Sequence, residues 1–302
     1  MTETLASTVA GIIMAGTTAR FTGEPAPAGD PAHWDVLRVE RLREMVSASA
    51  ARRVMFTDGE GLCVTSAALA ADGIWELAPA ITTYHRWAAS SGSLDRELTE
   101  GEATLIPGMG GTLRERWNAP LDTPGDIAGL PAPAKAGCGV VPVTSDGYLV
   151  LGVRRRTFVA SGNSGEYRDN VHVVAEGMLP EDRGADGAID ASAAAARGLV
   201  EELDVHEAQI IPTGFFLDTQ RWQPVFSFLA YLPLSYNQVW DSAAGAHDSW
   251  ESDRLLALPF QDGPELRALV EGTHPEMKLA SNHAQAYLAC AMDFAFGSGT
   301  AA

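Results

Sequence analysis

Two adjacent glutamates, Glu201 and Glu202, are the residues best suited to chemistry in this sequence. They stand at the end of a predicted helix, Ala191–Leu203, whose run of alanines strongly favours helix. Carboxylates at a helix C-terminus are destabilised by the helix dipole and, as neighbours, by each other's charge. A bound cation would relieve both penalties, and Mg²⁺ accepts carboxylate oxygens as ligands. The pair therefore predicts a site for Mg²⁺ or Mn²⁺.

Other residues with a candidate catalytic role precede and follow this pair. Arg197 lies four residues before Glu201 on the same helical face, so it either acts in catalysis or serves the scaffold by pairing with that glutamate. Glu251 follows the late strands and is a candidate for the carboxylate that activates or positions water. The alternative for Glu251 is a place in a surface turn before the next apolar segment.

Four residues are predicted to bind substrate. Arg154 and Arg156 follow an apolar strand, and guanidinium groups suit bidentate contacts with phosphate oxygens. His172 lies on the strand that leads to Glu176 and to the fourth residue, Gly177. Simpler interpretations stay open, because the arginines also fit a solvated strand end and the histidine also fits a hydrogen-bonded structural role.

The elements that position these residues are predicted from hydrophobic patterning. Apolar runs at Cys138–Val143 and Tyr148–Val153 bracket Ser145-Asp146-Gly147, which indicates a hairpin. Asp190 or Ser192 is expected to cap the helix that carries the glutamates. The order of elements predicts an α/β (α+β) fold with a mixed β-sheet flanked by helices. Its further strands are expected at His172–Ala175, Ile210–Asp218 and Val225–Leu232, and its covering helices near Gly263–Glu271 and Lys278–Phe294.

The N-terminal part is predicted to form a smaller α+β domain. Its first helix should begin near Asp30-Pro31, because proline suits the first turn of a helix. Strands are expected at Arg53–Phe56 paired with Leu62–Ser66, and at Ile74–Leu77 paired with Ala80–Tyr84. The stretch from Asn118 to Lys135, which follows them, is rich in Pro, Gly, Asp and Ala and predicts a linker. The predicted organisation is an N-terminal domain of unknown role at 1–118, a linker at 119–135 and the second domain at 136–296.

Residues 176–205 resemble the box of the Nudix hydrolase superfamily. That box is a glycine, five residues, Glu, seven residues, and then Arg-Glu-U-x-Glu-Glu-x-Gly-U, where U is aliphatic. A helix of the form Arg-Gly-Leu-x-Glu-Glu-Leu followed later by Trp250-Glu251 also resembles Nudix-like proteins of actinobacterial type. The positions that match the box are Gly177, Arg197, Leu199, Glu201, Glu202 and Val205.

The sequence departs from this box in several places. Gly198 stands where the family has the glutamate after the arginine, and Asp204 replaces the later glycine. The loop before Arg197 is about six residues longer than in the box, and Ile189 stands eight residues before that arginine, where a glutamate is expected. One metal carboxylate is therefore missing from its usual place. Candidates to compensate for it are Glu176, Glu181, Asp182 and Glu251.

The resemblance implies a metal-dependent hydrolase of a diphosphate-linked small molecule, such as a nucleoside diphosphate derivative. It implies Glu176, Glu201 and Glu202 as metal residues, the first through its carbonyl or carboxylate, and Glu202, Glu251 and Arg197 as catalytic residues. Two alternatives stay open. The first is a catalytically degenerate Nudix fold that binds or senses a ligand, and the second is altered chemistry in small-molecule biosynthesis.

Composition limits the partners of the chain. A formal net charge of -18 argues against binding long nucleic acid, because neutralising its backbone requires clustered basic residues. Three widely separated cysteines fit a reducing compartment. No stretch approaches the ~20 apolar residues of a membrane-spanning helix. We therefore expect a cytoplasmic protein without membrane association, whose partners are a small phosphorylated substrate and a second copy of the chain in a homodimer.

Overall fold

The computed structural model describes residues 5–52, 58–154 and 170–297. Its β-strands are β1 (Ile12–Gly16), β2 (Ala19–Phe21), β3 (Ala26–Pro27), β4 (Glu60–Leu69), β5 (Trp75–Thr83), β6 (Ala134–Lys135), β7 (Gly137–Val143), β8 (Tyr148–Arg154), β9 (Val171–His172), β10 (Val174–Gly177), β11 (Gln209–Asp218), β12 (Gln223–Tyr231) and β13 (Ser252–Pro259). Its α-helices are α1 (Trp34–Arg52), α2 (Tyr84–Ala89), α3 (Glu100–Leu105), α4 (Leu113–Trp117), α5 (Ala191–Leu203), α6 (Tyr236–Ala243), α7 (Pro264–Val270) and α8 (Asn282–Phe296).

In the described ranges, the large sheet has eight strands, all from the C-terminal half except β1. Its path runs β1-β11-β12-β7-β8-β13, with β10 added beside β7 and β9 added beside β8. Strands β12 and β7 run parallel, whereas the other pairs are antiparallel. The predicted mixed sheet with flanking helices is therefore confirmed.

The predicted hairpin joins β7 to β8. Val143 pairs with Leu149 across it, and Gly147 in the turn has a φ of 84°. Residues that have a side chain rarely adopt this positive φ, which explains why glycine occupies the turn. The next two predicted strands correspond to β11 and β12, which pair along their whole length.

The strand predicted at His172–Ala175 is two short strands. Strand β9 pairs with β8, whereas β10 pairs with β7, and Val173 separates them. The prediction of one continuous strand is wrong because the chain changes its pairing partner at this residue, and hydrophobic alternation does not reveal the partner. The change places β10, which carries Glu176, beside β7.

Within the described residues, the small sheet has five strands in the order β2-β5-β4-β6, with β3 added to β5. Strand β4 contains the strand predicted at Leu62–Ser66, whose predicted partner at 53–56 lies outside the described residues. The strand pair predicted at 74–77 and 80–84 is wrong, because β5 runs as a single strand through Pro79 and pairs with β4. The smaller N-terminal α+β unit is confirmed.

The two sheets share one hydrophobic core. Leu62 and Leu77 of the small sheet belong to the same buried cluster as Phe226 of the large sheet, and the ring of Phe21 lies 5.5 Å from the ring of Phe226. Helix α5 packs into this cluster as well, whereas α7 and α8 cover the opposite face of the large sheet through a second cluster. Within the described ranges, none of the helices has the length and apolar content that a membrane span requires.

The segment predicted as a linker is packed against both regions. Leu121, Ile127 and Ala134 are at most 6% exposed, and β6 pairs with β4. Strand β1, from the N-terminal region, hydrogen-bonds to β11 at the edge of the large sheet. The division into domains at 1–118 and 136–296 stays a prediction.

Helix α5 has the predicted bounds and the predicted cap. The Asp190 carboxylate accepts a hydrogen bond from the Ser192 N–H at 2.8 Å, and Asp204 ends the helix in the left-handed conformation with a φ of 54°. The buried face is made largely of small residues, which let the helix approach β10 closely. The buried residues are Ala191, Ala194, Ala195, Gly198, Leu199 and Leu203.

Candidate metal and substrate site

Arg197 connects the elements of the candidate site. Its guanidinium donates to Glu201 Oε2 at 2.8 Å and to Glu176 Oε2 at 3.1 Å. It also donates to Asp182 Oδ1 at 2.9 Å and to the Gly177 carbonyl at 2.8 Å. One side chain thus ties α5 to β10 and to the loop between them. These contacts fit a scaffold role for Arg197, and its catalytic role stays a prediction.

Three carboxylates from three elements converge beside this arginine. Glu176 on β10, Glu201 on α5 and Asp248 in the loop after α6 each place a carboxylate oxygen within 4.8 Å of the others. Their side chains are 16%, 31% and 20% exposed, so they are partly withdrawn from water. A set of three carboxylate oxygens has the chemistry that a hard divalent cation such as Mg²⁺ requires. The structure therefore brings together two of the predicted metal residues and adds Asp248.

Asp248 did not emerge from the sequence. Its backbone N–H donates to the Glu201 carbonyl at 2.8 Å, and the Ser242 hydroxyl on α6 donates to the Leu203 carbonyl at 2.7 Å. These bonds satisfy carbonyl groups at the end of α5 and hold the loop against it. The available signal was the position of Asp248 three residues before Glu251, which by itself does not show which acid faces the helix.

Glu202 lies outside this group of three and is more deeply buried, with 8% of its side chain exposed. Its Oε1 accepts a hydrogen bond from the Ala175 N–H at 3.0 Å. Its Oε2 lies 3.9 Å from Nδ1 of His172, which is too long for a hydrogen bond. Burial, reinforced by the charge of Glu251, raises the pKa of Glu202 well above its usual range.

Glu251 and Arg154 form an ion pair next to Glu202. Burial raises the pKa of Glu251, although the charge of Arg154 opposes the shift. His172 is buried beside them, and its Nδ1 donates to the Val173 carbonyl at 2.9 Å. Burial lowers the pKa of His172 well below its usual range, so the ring is neutral. Its Nε2 then accepts the Ser252 hydroxyl at 2.9 Å.

Three of the four residues predicted to bind substrate have partners within the protein. Arg154 is paired with Glu251, both ring nitrogens of His172 have protein partners, and the Gly177 carbonyl accepts from Arg197. Arg156 lies outside the described residues. A substrate-binding role for these four residues stays a prediction.

Gly198 explains how the departure from the Nudix box fits the site. A Cβ atom at this position would lie 2.7 Å from Cγ of Glu176 and 3.0 Å from Cγ1 of Val174. The Glu176 side chain therefore fills the space beside α5 that any side chain at position 198 would need. The absence of a glutamate at 198 and the presence of a carboxylate at 176 are parts of one packing arrangement.

The charge balance around Glu176 favours a cation. Burial raises the pKa of Glu176 to about 7, with Arg197 opposing the shift and Glu201 and Glu251 reinforcing it. Ionising this carboxyl therefore costs free energy in the metal-free protein. A divalent cation would offset that cost by replacing repulsion between carboxylates with attraction.

Glu202 borders a small cavity and a larger one. One of about 20 Å³ has room for a single water molecule and is also lined by polar side chains of His172, Asp248, Ser249 and Ser252. The other, of about 280 Å³, lies between Glu202, Trp240 and Arg254. Trp240 is 46% exposed, so its ring presents an aromatic surface to a ligand. Space for a water and for a larger group therefore exists beside the acids.

Several solved structures are similar to about half of this chain. The protein DR0079 from Deinococcus radiodurans is 12% identical, with a TM-score of 0.34 over 52% of this chain and 82% of its own. A Nudix hydrolase from Nitrosomonas europaea is 16% identical, with a TM-score of 0.30 over 53% and 72%. The Nudix domain of NrtR from Shewanella oneidensis, solved in complex with ADP-ribose, is 13% identical, with a TM-score of 0.34 over 53% and 88%.

The comparisons at the level of sequence found no related family or protein. No protein-family model matches the chain, and the comparison with curated proteins found no match. The three solved structures are at most 16% identical to this chain. Over about half of its length, this chain is thus structurally similar to Nudix hydrolases and Nudix domains at low sequence identity.

Proposed function

We propose that this chain binds Mg²⁺ or Mn²⁺ at Glu176, Glu201 and Asp248 and hydrolyses a diphosphate linkage in a small molecule. The observation that carries the proposal is the convergence of these carboxylates, from three separate elements, to within 4.8 Å. Arg197 supplies one positive charge to this group, which leaves an excess of negative charge for a cation to balance. The Nudix-like spacing of the surrounding residues supports a diphosphate as the substrate group.

The remaining acids supply proton transfer in this proposal. A cation held by the three carboxylates would polarise phosphate oxygens and lower the pKa of bound water. Glu202 is the proposed proton acceptor, because a carboxylate with a raised pKa is a stronger base near neutral pH. The water-sized cavity beside it offers a place for the reacting water. Glu251, fixed by Arg154, reinforces the affinity of Glu202 for a proton.

The larger cavity is the proposed place for the organic part of the substrate. Its volume of about 280 Å³ suits a nucleoside-sized group rather than a polymer. The exposed ring of Trp240 offers a stacking surface, and Arg254 offers donors to a phosphate or sugar. A small substrate also agrees with the net charge of -18, which disfavours long nucleic acid.

The test is hydrolysis of a panel of nucleoside diphosphate derivatives, including ADP-ribose, with Mg²⁺, with Mn²⁺ and with EDTA. We expect turnover that requires metal and falls by about 100-fold or more in Glu201→Gln and Asp248→Asn. Glu207→Gln, an exposed glutamate beyond the end of α5, is the matched control and should retain activity. Manganese binding followed by electron paramagnetic resonance should weaken in the first two variants and stay unchanged in the control. Manganese affinity that is equal in all four proteins would overturn the metal site.

A second function, ligand binding without hydrolysis, is favoured by one observation. Gly198 removes the helix glutamate of the Nudix box, and close packing against Glu176 prevents its return without rearrangement. In that case the panel gives no turnover, whereas calorimetry detects nucleotide binding. Product formation that depends on Glu201 excludes this alternative.

A further inference from the structure

Lysine is rare in this chain, and one of its lysines lies next to the candidate site. The 21 basic residues include two lysines, Lys135 and Lys278. Lys278 is exposed, whereas Lys135 is partly buried at the end of β6. Because arginine fills nearly all other basic positions, the lysine at 135 is a local exception that calls for a physical explanation.

Lys135 belongs to the small sheet and lies where this sheet meets the large one. It pairs with Cys63 on β4. The two sheets are joined at this point by backbone bonds, from the Leu62 N–H to the Met178 carbonyl at 2.7 Å and from the Met178 N–H to the Ala136 carbonyl at 3.1 Å. As a result, the side chain of Lys135 lies next to β10, the strand that carries Glu176.

Among the described residues, the ammonium group has aromatic neighbours and no ionic partner. Its Nζ lies 5.3 Å from the ring centroids of both Tyr84 and Trp87. It makes no hydrogen bond or ion pair with any described residue, and Glu176 is hydrogen-bonded to Arg197 instead. Aromatic faces attract a cation but do not replace the hydrogen bonds of the three N–H donors.

Two glycines make room for this side chain. A Cβ atom at Gly177 would lie 2.9 Å from Nζ of Lys135, and one at Gly61 would lie 2.9 Å from its Cε. Gly177 directly follows the candidate metal ligand Glu176 in β10. The ammonium therefore lies within one residue of the acidic group along that strand, on the side of the small sheet.

An anion would complete the surroundings of Lys135. Burial lowers its pKa to about 8, with Glu176 raising it and Arg197 lowering it. A charged group in this position, without hydrogen-bond partners in the part of the chain that the structure describes, is stabilised when an oxyanion accepts from it. A lysine ammonium is a compact point charge, which suits a space between two backbones better than the planar guanidinium of arginine does.

We propose that Lys135 binds a phosphate oxygen of the substrate, and that the N-terminal region thereby completes the substrate site beside the acidic group. This inference rests on the proposed function, because the phosphate is the one whose linkage is cleaved next to Glu176, Glu201 and Asp248. In it, Tyr84 and Trp87 hold the side chain in place before the substrate arrives. The small sheet acquires a role in recognition that no motif in its own sequence indicates.

Kinetics provide the first test. In Lys135→Met, which keeps the length and apolar contacts of the side chain, we expect KM to rise by about 10- to 100-fold, the range expected for losing a charged hydrogen bond. The turnover number should change by less than about threefold, as expected for lost binding that is uniform between ground and transition states. Lys278→Met is the matched control and should leave both constants unchanged. An unchanged KM in a folded Lys135→Met protein would overturn the inference while leaving the proposed hydrolysis intact.

A second test needs neither turnover nor a variant at position 135. Wild-type protein labelled with ¹³C at the lysine ε-carbon should give two side-chain signals, which Lys278→Arg assigns. Adding inorganic pyrophosphate with Mg²⁺ should shift the Lys135 signal in a saturable manner and leave the Lys278 signal in place. This result would support the site even if no substrate in the panel were hydrolysed. The inference would be contradicted if both signals shifted by the same amount or if neither signal shifted.

Discussion

Two buried glutamates, one in each region of the molecule, have opposite surroundings. Glu102 on α3 accepts hydrogen bonds from Arg41 Nε at 2.9 Å, from Arg96 Nη1 at 3.0 Å and from the Thr99 N–H at 2.8 Å. Glu202 on α5 is nearly as well covered, yet the Ala175 N–H is the one hydrogen-bond donor it has among the described residues. The first carboxylate is fully compensated by the protein, and the second is not.

The pKa shifts of these two carboxyls follow from that difference. Burial acts to raise the pKa of both carboxyls, because it disfavours the charged form. At Glu102 the hydrogen bond from Thr99 and the charge of Arg41 outweigh burial, so its pKa is lowered. At Glu202 the charge of Glu251 adds to burial, so its pKa is raised well above the usual range. A carboxylate that only stabilises a fold is paired inside it, whereas an incompletely compensated one is a candidate for proton or metal chemistry.

The largest expected effect is on Glu102. In Glu102→Gln we expect the free energy of unfolding to fall by about 3 to 5 kcal/mol, because the buried Arg41 and the partly buried Arg96 would lose their carboxylate partner. Urea denaturation measures the loss. Glu100→Gln, an exposed glutamate on the same helix, serves as the control and should be neutral. A loss below about 1 kcal/mol would show that the carboxylate of Glu102 does not hold this network together.

The acidic site should make stability depend on pH in the opposite sense from a paired acid. The pKa of Glu176 is about 7 in the folded state, against the ordinary glutamate value of 4.5. Between these values the folded state holds a proton that the unfolded state has released, so stability falls as pH rises through this window. We expect this decline to be larger in wild type than in Glu176→Gln by about 2 to 3 kcal/mol between pH 4.5 and 8.

Urea unfolding at several pH values in EDTA, and again with Mn²⁺, measures that decline. Manganese should restore stability at pH 8 far more than at pH 5, because it binds the ionised carboxylates. Parallel pH profiles for wild type and Glu176→Gln would remove Glu176 as the source of the effect.

Close packing of α5 against β10 gives a smaller effect. Gly198→Ala places a Cβ atom 2.7 Å from Cγ of Glu176, so either the helix or the carboxylate must move. We expect a loss of about 1 to 2 kcal/mol and weaker manganese binding. Gly129→Ala is the control, since no atom lies within 4 Å of the added Cβ atom. Weaker stability with unchanged metal affinity would separate the packing of the helix from the position of Glu176.

The smallest expected effect has the opposite sign. Glu202→Gln keeps an acceptor for the Ala175 N–H and removes a charge that burial disfavours. Stability at pH 8 should therefore be unchanged or increase by up to about 1 kcal/mol, while any hydrolysis is lost. Thermal unfolding and the substrate panel report the two outcomes. A clear destabilisation would mean that Glu202 resembles Glu102 after all.

Much of the fold was predictable because its signals are local. The hairpin between β7 and β8 follows from two apolar runs around Gly147, and the bounds of α5 follow from its alanines and the cap at Asp190. The split at Val173 was not predictable, since hydrophobic alternation does not specify which strand a segment pairs with. The path of β5 through Pro79 was missed because proline usually interrupts a strand.

The sequence by itself determined one helix that carries Arg197, Glu201 and Glu202, with Arg197 and Glu201 on one face because residues four apart are neighbours on a helix. Only the tertiary structure decided which acids gather around them. Asp248 and Glu176 reach Glu201 through a loop bound to the end of α5 and a strand that changes partner, and Lys135 reaches the same place from the other sheet. Helical spacing acts over a few residues, whereas these contacts depend on how sheets and helices pack.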